Sequence, residues 1–162
     1  MKEHDSVGTV EEQFTAVERT IGFEFRNNTL LKLALKIQHR KRRTTVNIRS
    51  TQLENSSFNQ RSINNAGLCQ MGDALLTVFT LEPQMPSIPV EFDALNRKKS
   101  NRKLASIFDK LGLIKFLDLN LQDKHKLGEH RKADVVEALL GAIYLDQGIE
   151  TARSFYLQHL HS

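Results

Sequence analysis

Residues 132–148, KADVVEALLGAIYLDQG, constrain the chain more than any other stretch. Val136, Leu139, Leu140, Ile143 and Tyr144 recur at spacings of three and four, which on a helix makes one broad apolar face. Ala138, Gly141 and Ala142 keep part of the surface small, so a second helix can come close. Gly148 stands where a C-terminal cap is expected. Asp134 and Glu137 lie three apart near the start and project to nearly the same side. Two readings of that pair stay open. Acids near a helix N-terminus complement the macrodipole, or the two are half of a metal site that other carboxylates complete.

At 162 residues, with 40% hydrophobic and 26% charged residues, the chain suits one globular domain. Residues 1–10 read as a flexible tail and 11–162 as the domain. No apolar run is long enough to span a bilayer, and the N-terminus lacks the apolar centre of a signal peptide, so an intracellular protein is expected. The single cysteine excludes an internal disulfide and fits a reducing compartment. The net charge of +4 is mild, but its distribution is informative. His39, Arg40, Lys41, Arg42 and Arg43 form one basic block, and Arg97, Lys98, Lys99, Arg102 and Lys103 a second. The run KHKLGEHRK at 124–132 is the third and ends at Lys132, beside the acidic pair. A solvated polar surface is the default reading of such runs, and three of them flanking the acidic pair shift the balance toward phosphate-backbone contact by Arg40, Lys41, Arg42, Arg43, Arg97, Lys98, Lys99 and Lys132. Tryptophan is absent and other aromatics are few, which favours a duplex over stacked single strands.

Helical periodicity covers residues 10–21, ending at Gly22, and resumes behind a cap at Asn27 or Asn28 with Leu30, Leu31, Leu33, Ala34 and Leu35. From 36 to 63 it vanishes, and this basic, then polar segment reads as a long exposed insertion. It returns from Leu68 to Phe79, and Pro83, Pro86 and Pro89 then break the chain. Residues 94–111 make one long helix or two short ones, stopped by Gly112. A short apolar piece at 114–121, a polar run at 122–131, the organising helix and a last helix at 150–161 complete an all-α chain of about six or seven helices. Among the residues of the 68–79 helix, Asp73 is an acid on an otherwise apolar surface, costly unless paired or bound to a cation. If the two helices pack together, Asp73, Asp134 and Glu137 would form a hard oxygen cluster suited to Mg²⁺ or Mn²⁺.

The stretch GLCQMGDALL at 67–76 resembles the signature of the ribonuclease III family, usually RLEFLGDAVL, and ADVVEALLGAIYLDQG at 133–148 resembles its second acidic motif almost residue for residue. VERTIGFEFRNNTLLKLAL at 17–35 and NRKLASIFDKLGLIKFL at 101–117 are similar to the family's first two helices and to the stretch before its second motif. The resemblance covers about residues 14–157. It implies an all-α endonuclease-domain fold that cuts double-stranded RNA as a homodimer, with two Mg²⁺ or Mn²⁺ ions per active site. Asp73, Asp134 and Glu137 would be the catalytic and metal-binding residues, and Leu68, Cys69, Met71, Leu75 and Leu76 the dimer contact. Ordinary core packing is the competing reading for Met71.

Departures from the pattern qualify what the resemblance implies. The signature's glutamate, four residues before Asp73, is here Cys69, a soft and mostly protonated ligand ill-suited to Mg²⁺. An acid often present three positions earlier is here Ala66, and a Thr-His pair after the second helix is Lys36-Ile37. No double-stranded-RNA-binding domain follows, so a separate RNA-binding partner or a longer parent chain is expected to add affinity. Two functions fit: an endoribonuclease whose three carboxylates, with Glu54 or Glu91, still hold metal, or an inactive RNA-binding or scaffold relative. The histidines show no zinc-site spacing, and His159 and His161 read as a polar tail.

Overall fold

Helix after helix is laid against one buried segment. The computed structural model describes residues 10–36, 46–48, 61–85, 93, 96–97 and 99–161. Seven α-helices run through these residues: α1 (Val10–Ile21), α2 (Asn28–Ala34), α3 (Asn65–Leu81), α4 (Asn101–Lys110), α5 (Leu121–His125), α6 (Glu129–Gln147) and α7 (Ile149–Phe155). The all-α expectation holds, with one addition. Strands β1 (Val46–Ile48) and β2 (Arg61–Ile63) pair antiparallel, Val46 opposite Ile63, within the segment expected to be an irregular insertion. Arg40, Lys41, Arg42, Arg43, Lys98, Glu54 and Glu91 lie outside the described residues.

α6 is the axis. Val136, Ala138, Leu139, Leu140, Ala142 and Ile143 are fully buried, on all sides of the helix and not on one face. Fully burying each large side chain contributes roughly 1.5–3 kcal/mol. α3 and α4 make the closest packing on α6, with α2 and α7 on its remaining sides. Tyr144 is only partly buried, so the apolar face read from sequence turns past it.

Local chemistry sets the ends. The Asn27 side chain caps α2 by accepting from the Thr29 N–H, and Asn64 caps α3 by accepting from Gly67. Ser100 caps α4, and Asn120 caps α5, which lies in the stretch expected to be a polar run. Gly112 (φ 60) and Gly148 (φ 90) take left-handed backbone after α4 and α6, where a Cβ would be strained. Asp146 is buried at the end of α6, accepting from the Arg26 and Asn27 N–H groups at 2.7 and 2.9 Å. It ties the chain before α2 to the central helix. His159 is no polar tail: its ring donates to the Ile21 carbonyl at 2.8 Å and packs on Phe155.

The contact of α3 with α6 is backbone on backbone. A Cβ added at Gly72 would stand 1.9 Å from the Glu137 carbonyl oxygen, and one at Gly141 2.2 Å from that of Leu68. Neither obstacle is a movable side chain. Gly72→Ala should therefore cost about 3 kcal/mol or more through forced helix separation. Gly112→Ala, with open space around it but φ of 60°, should cost only about 1–2 kcal/mol. Urea midpoints at unchanged slope measure both.

Candidate active site

The Gly72 contact decides which side chains meet. Cys69 and Asp73 stand four apart on α3, hence on one face, and Asp134 and Glu137 three apart on α6. Because the helices touch at Gly72 and Glu137, the Cys69 thiol reaches the Asp134 carbonyl and donates to it at 3.1 Å. The ligand atoms of Cys69, Asp134 and Glu137 all lie within 4.8 Å of one another. Asp73 falls outside that tight group. Its carboxylate is instead held by the Lys99 ammonium at 2.8 Å, and it remains close enough to Glu137 to act on its charge.

α6 begins at Glu129, so Asp134 and Glu137 lie beyond its first turn, where the macrodipole acts weakly. Their surroundings penalise charge. Burial, then Asp73 and Asp134, push the Glu137 carboxyl up to about 7 against the partial relief of Lys99. Burial also raises Asp134, offset by His130 and Arg131; the His130 ring nitrogen is 3.9 Å from its carboxylate. The Cys69 thiol, buried and facing both acids, is pushed up to about 12 and is therefore neutral. The site thus offers hard carboxylate oxygens crowded enough to favour a cation, beside a thiol that contributes no charge.

Other expected site residues divide. Leu68 and Leu76 are fully buried and Leu75 nearly so within the chain's own core, which corrects the expectation that their side chains face a second copy. Cys69 and Met71 keep partial exposure. Lys132 is bound bidentately by Asp109 at 2.8 Å and lies near the Phe108 ring, so it braces α6 against α4 and is not a free phosphate ligand. Arg97 is exposed. Lys99, counted from sequence among the phosphate-facing residues, pairs with Asp73, an assignment that its distance along the chain conceals. Asn65 was missed altogether: it is buried, donates to the Leu33 and Ala34 carbonyls at 3.0 and 3.2 Å, and sets its oxygen 3.5 Å from the Cys69 sulfur. Nothing in sequence distinguishes it from a capping asparagine.

Residues 46–162 match the family model described as Ribonuclease-III-like. Ribonuclease 3 of Chloroflexus aggregans is 32% identical over 158 residues, which are 93% of this chain and 64% of that protein. Ribonuclease 3 of Sinorhizobium medicae is 30% identical over 151 residues, 88% of this chain and 56% of its own length. The chain thus spans less than two thirds of these relatives. In fold it is similar to the solved nuclease domain of ribonuclease III from Campylobacter jejuni, with a TM-score of 0.65 and 24% identity over 90% of this chain and 94% of the other. A helical nuclease-domain fold of the ribonuclease III type is the class these observations define. The chain belongs to the Ribonuclease-III-like family.

A carboxyl raised in the folded state keeps its proton to higher pH than in the unfolded chain, so stability falls as pH rises between the two values. For Glu137 that window runs from its ordinary 4.5 to about 7. With chelator present, Glu137→Gln should be near wild type in stability at pH 4 and progressively more stable than wild type up to pH 8. Urea unfolding across that range measures the difference, and a constant difference would contradict the assignment.

Proposed function

We propose that this chain is a divalent-cation-dependent endoribonuclease domain that hydrolyses double-stranded RNA, with Asp73, Asp134 and Glu137 as its metal-binding carboxylates. The observation that carries the reading is the crowding of acids from two helices across the Gly72 contact, with Glu137 held up to about 7. Uncompensated, such a group of charges only destabilises the fold. A Mg²⁺ or Mn²⁺ ion there would lower the pKa of an attacking water and stabilise charge on the departing 3′ oxygen. The chain's own part is to fix the carboxylates on two rigid helices and to keep Asp134 oriented. A cation seated on the Glu137 carboxylate would offset the burial and the neighbouring acids that otherwise raise that group to about 7.

Duplex RNA is the favoured substrate because the basic blocks and the scarcity of aromatics suit phosphate contact to an A-form helix, read by shape and 2′-hydroxyl groups. One site per chain cuts one strand, so cleavage of both requires a second copy. The Campylobacter jejuni nuclease domain has a structurally flexible region involved in its own dimer formation. A two-fold contact through α3 would use its exposed residues Ala66, Gln70, Ala74 and Val78, since Leu68 and Leu76 are spent on the core. A separate RNA-binding partner would add affinity.

A second reading, an inactive RNA-binding or scaffold protein, draws on two observations: the neutral thiol at Cys69 and the Lys99 ammonium on Asp73. Incubation with duplex RNA and Mg²⁺ or Mn²⁺ separates them. The wild-type chain should cleave, and Asp134→Asn/Glu137→Gln should lose more than about 100-fold in rate, exceeding the effect of removing a metal site's outer hydrogen bonds. Cys69→Glu, which adds a carboxylate to the group, should raise the rate. If neither wild type nor Cys69→Glu cuts the duplex, while both retard it on a gel, the scaffold reading replaces the first.

A further inference from the structure

The charges around the Asp73 carboxylate are already part balanced by the chain itself. Lys99 is not a loose surface lysine: its side chain is only 22% exposed, and its ammonium donates to Asp73 Oδ1 at 2.8 Å and to Thr77 Oγ1 at 2.6 Å. The Thr77 hydroxyl in turn donates to the Asp73 carbonyl at 3.0 Å, so its lone pairs are left to face the lysine. The backbone is equally fixed. Lys99 immediately precedes Ser100, the N-cap of α4, and α4 packs on α6. Two side chains of one helix turn and the start of a second helix thus deliver a positive charge to one chosen carboxylate.

That placement changes the charge balance of the site. With every carboxyl ionised, as ligands to a cation must be, Asp73, Asp134 and Glu137 supply three negative charges and Lys99 removes one, leaving two. A single divalent ion balances two. The arrangement of the donors agrees with the count: Asp134 and Glu137 fall within the tight 4.8 Å group, whereas Asp73, outside it, already carries a cation. A second divalent ion on Asp73 would have to displace an ammonium fixed at two points and would gain no fourth carboxylate in return.

Resting on the carboxylate reading above and narrowing it at Asp73, we propose that the site takes one divalent cation, seated on Asp134 and Glu137, and that the Lys99 ammonium stands on Asp73 in place of a second. Lys99 is then a positioning residue. It neutralises and orients Asp73 and sets the number of ions the site accepts.

Titration of the purified chain with Mn²⁺, followed by the loss of free-ion paramagnetic signal and by calorimetry, tests this without reference to cleavage. Wild type should bind one Mn²⁺ per chain, and Asp134→Asn/Glu137→Gln should abolish that binding. Lys99→Met, which releases Asp73, should bind a second ion or bind the first at least about tenfold more tightly, the scale on which neighbouring groups tune metal sites. Thr77→Val, which loosens the lysine's hold and keeps its charge, should shift affinity in the same direction by less. Cys69→Glu/Lys99→Met, with four carboxylates and no ammonium, should bind two. Unchanged thermal unfolding or circular dichroism shows that each variant is folded. Two ions per wild-type chain would overturn the proposal, as would one ion with count and affinity unmoved by Lys99→Met; the carboxylate reading survives both results. No Mn²⁺ bound by wild type overturns the carboxylate reading and this inference together.

Discussion

The contact between α3 and α6 at Gly72 and Gly141 is the constraint on which the rest depends. Helices usually keep 8–10 Å between axes because side chains separate them. Here each helix offers a glycine to a carbonyl oxygen of the other, and no Cβ fits at either place. The approach has two consequences. It packs the apolar residues of α3, Leu68, Leu75, Leu76 and Phe79, into the core with α6. It also forces the polar residues on one side of the same two helices into a group too crowded for their charges. Core and site are produced by one piece of geometry, so a change that relaxes the acids by separating the helices also opens the core.

The electrostatics of the group follow from that crowding. Carboxylates at this spacing repel, and partial burial removes the water that would screen them. Three devices share the load. Glu137 takes up its proton near neutral pH, Cys69 stands neutral where another acid would have added charge, and Lys99 covers Asp73. Lys132, which the sequence makes equally suited to reach RNA, is committed to Asp109. Basic residues close to the site are therefore partly structural, and the position of a lysine in a charged run says little about which partner it has.

The sequence was most legible where one period dominated. The helix at 10–21, the cap at Asn27, the stops at Gly22 and Gly112 and the cap at Gly148 all follow from local rules and stand in the structure. The all-α class and the relation of Asp134 to Glu137 followed from the same spacing. What stayed hidden depended on contacts between distant residues. The burial of α6 on every side exceeds what a single apolar stripe announces, because small residues such as Ala138 and Ala142 serve as buried surface when a neighbour lies close. Asp146 and Asn65 look like ordinary polar residues until the backbone groups they satisfy are brought alongside. The strand pair at 46–48 and 61–63 is too short to produce an alternating pattern.

Cys69 acts on the charged group in two ways at once. Its neutral thiol is a poor ligand for a hard ion. Yet it also adds no charge to a group that burial makes expensive, and it spends its hydrogen on the Asp134 carbonyl, steadying the turn of α6 that carries Asp134 and Glu137. Lys99 has the same double character, since it competes for Asp73 while fixing its direction. Both residues hold down the negative charge at one end of the group and leave the Asp134–Glu137 end to itself. The two acids of that end stand three apart on a rigid helix and are held in place by the buried core around it.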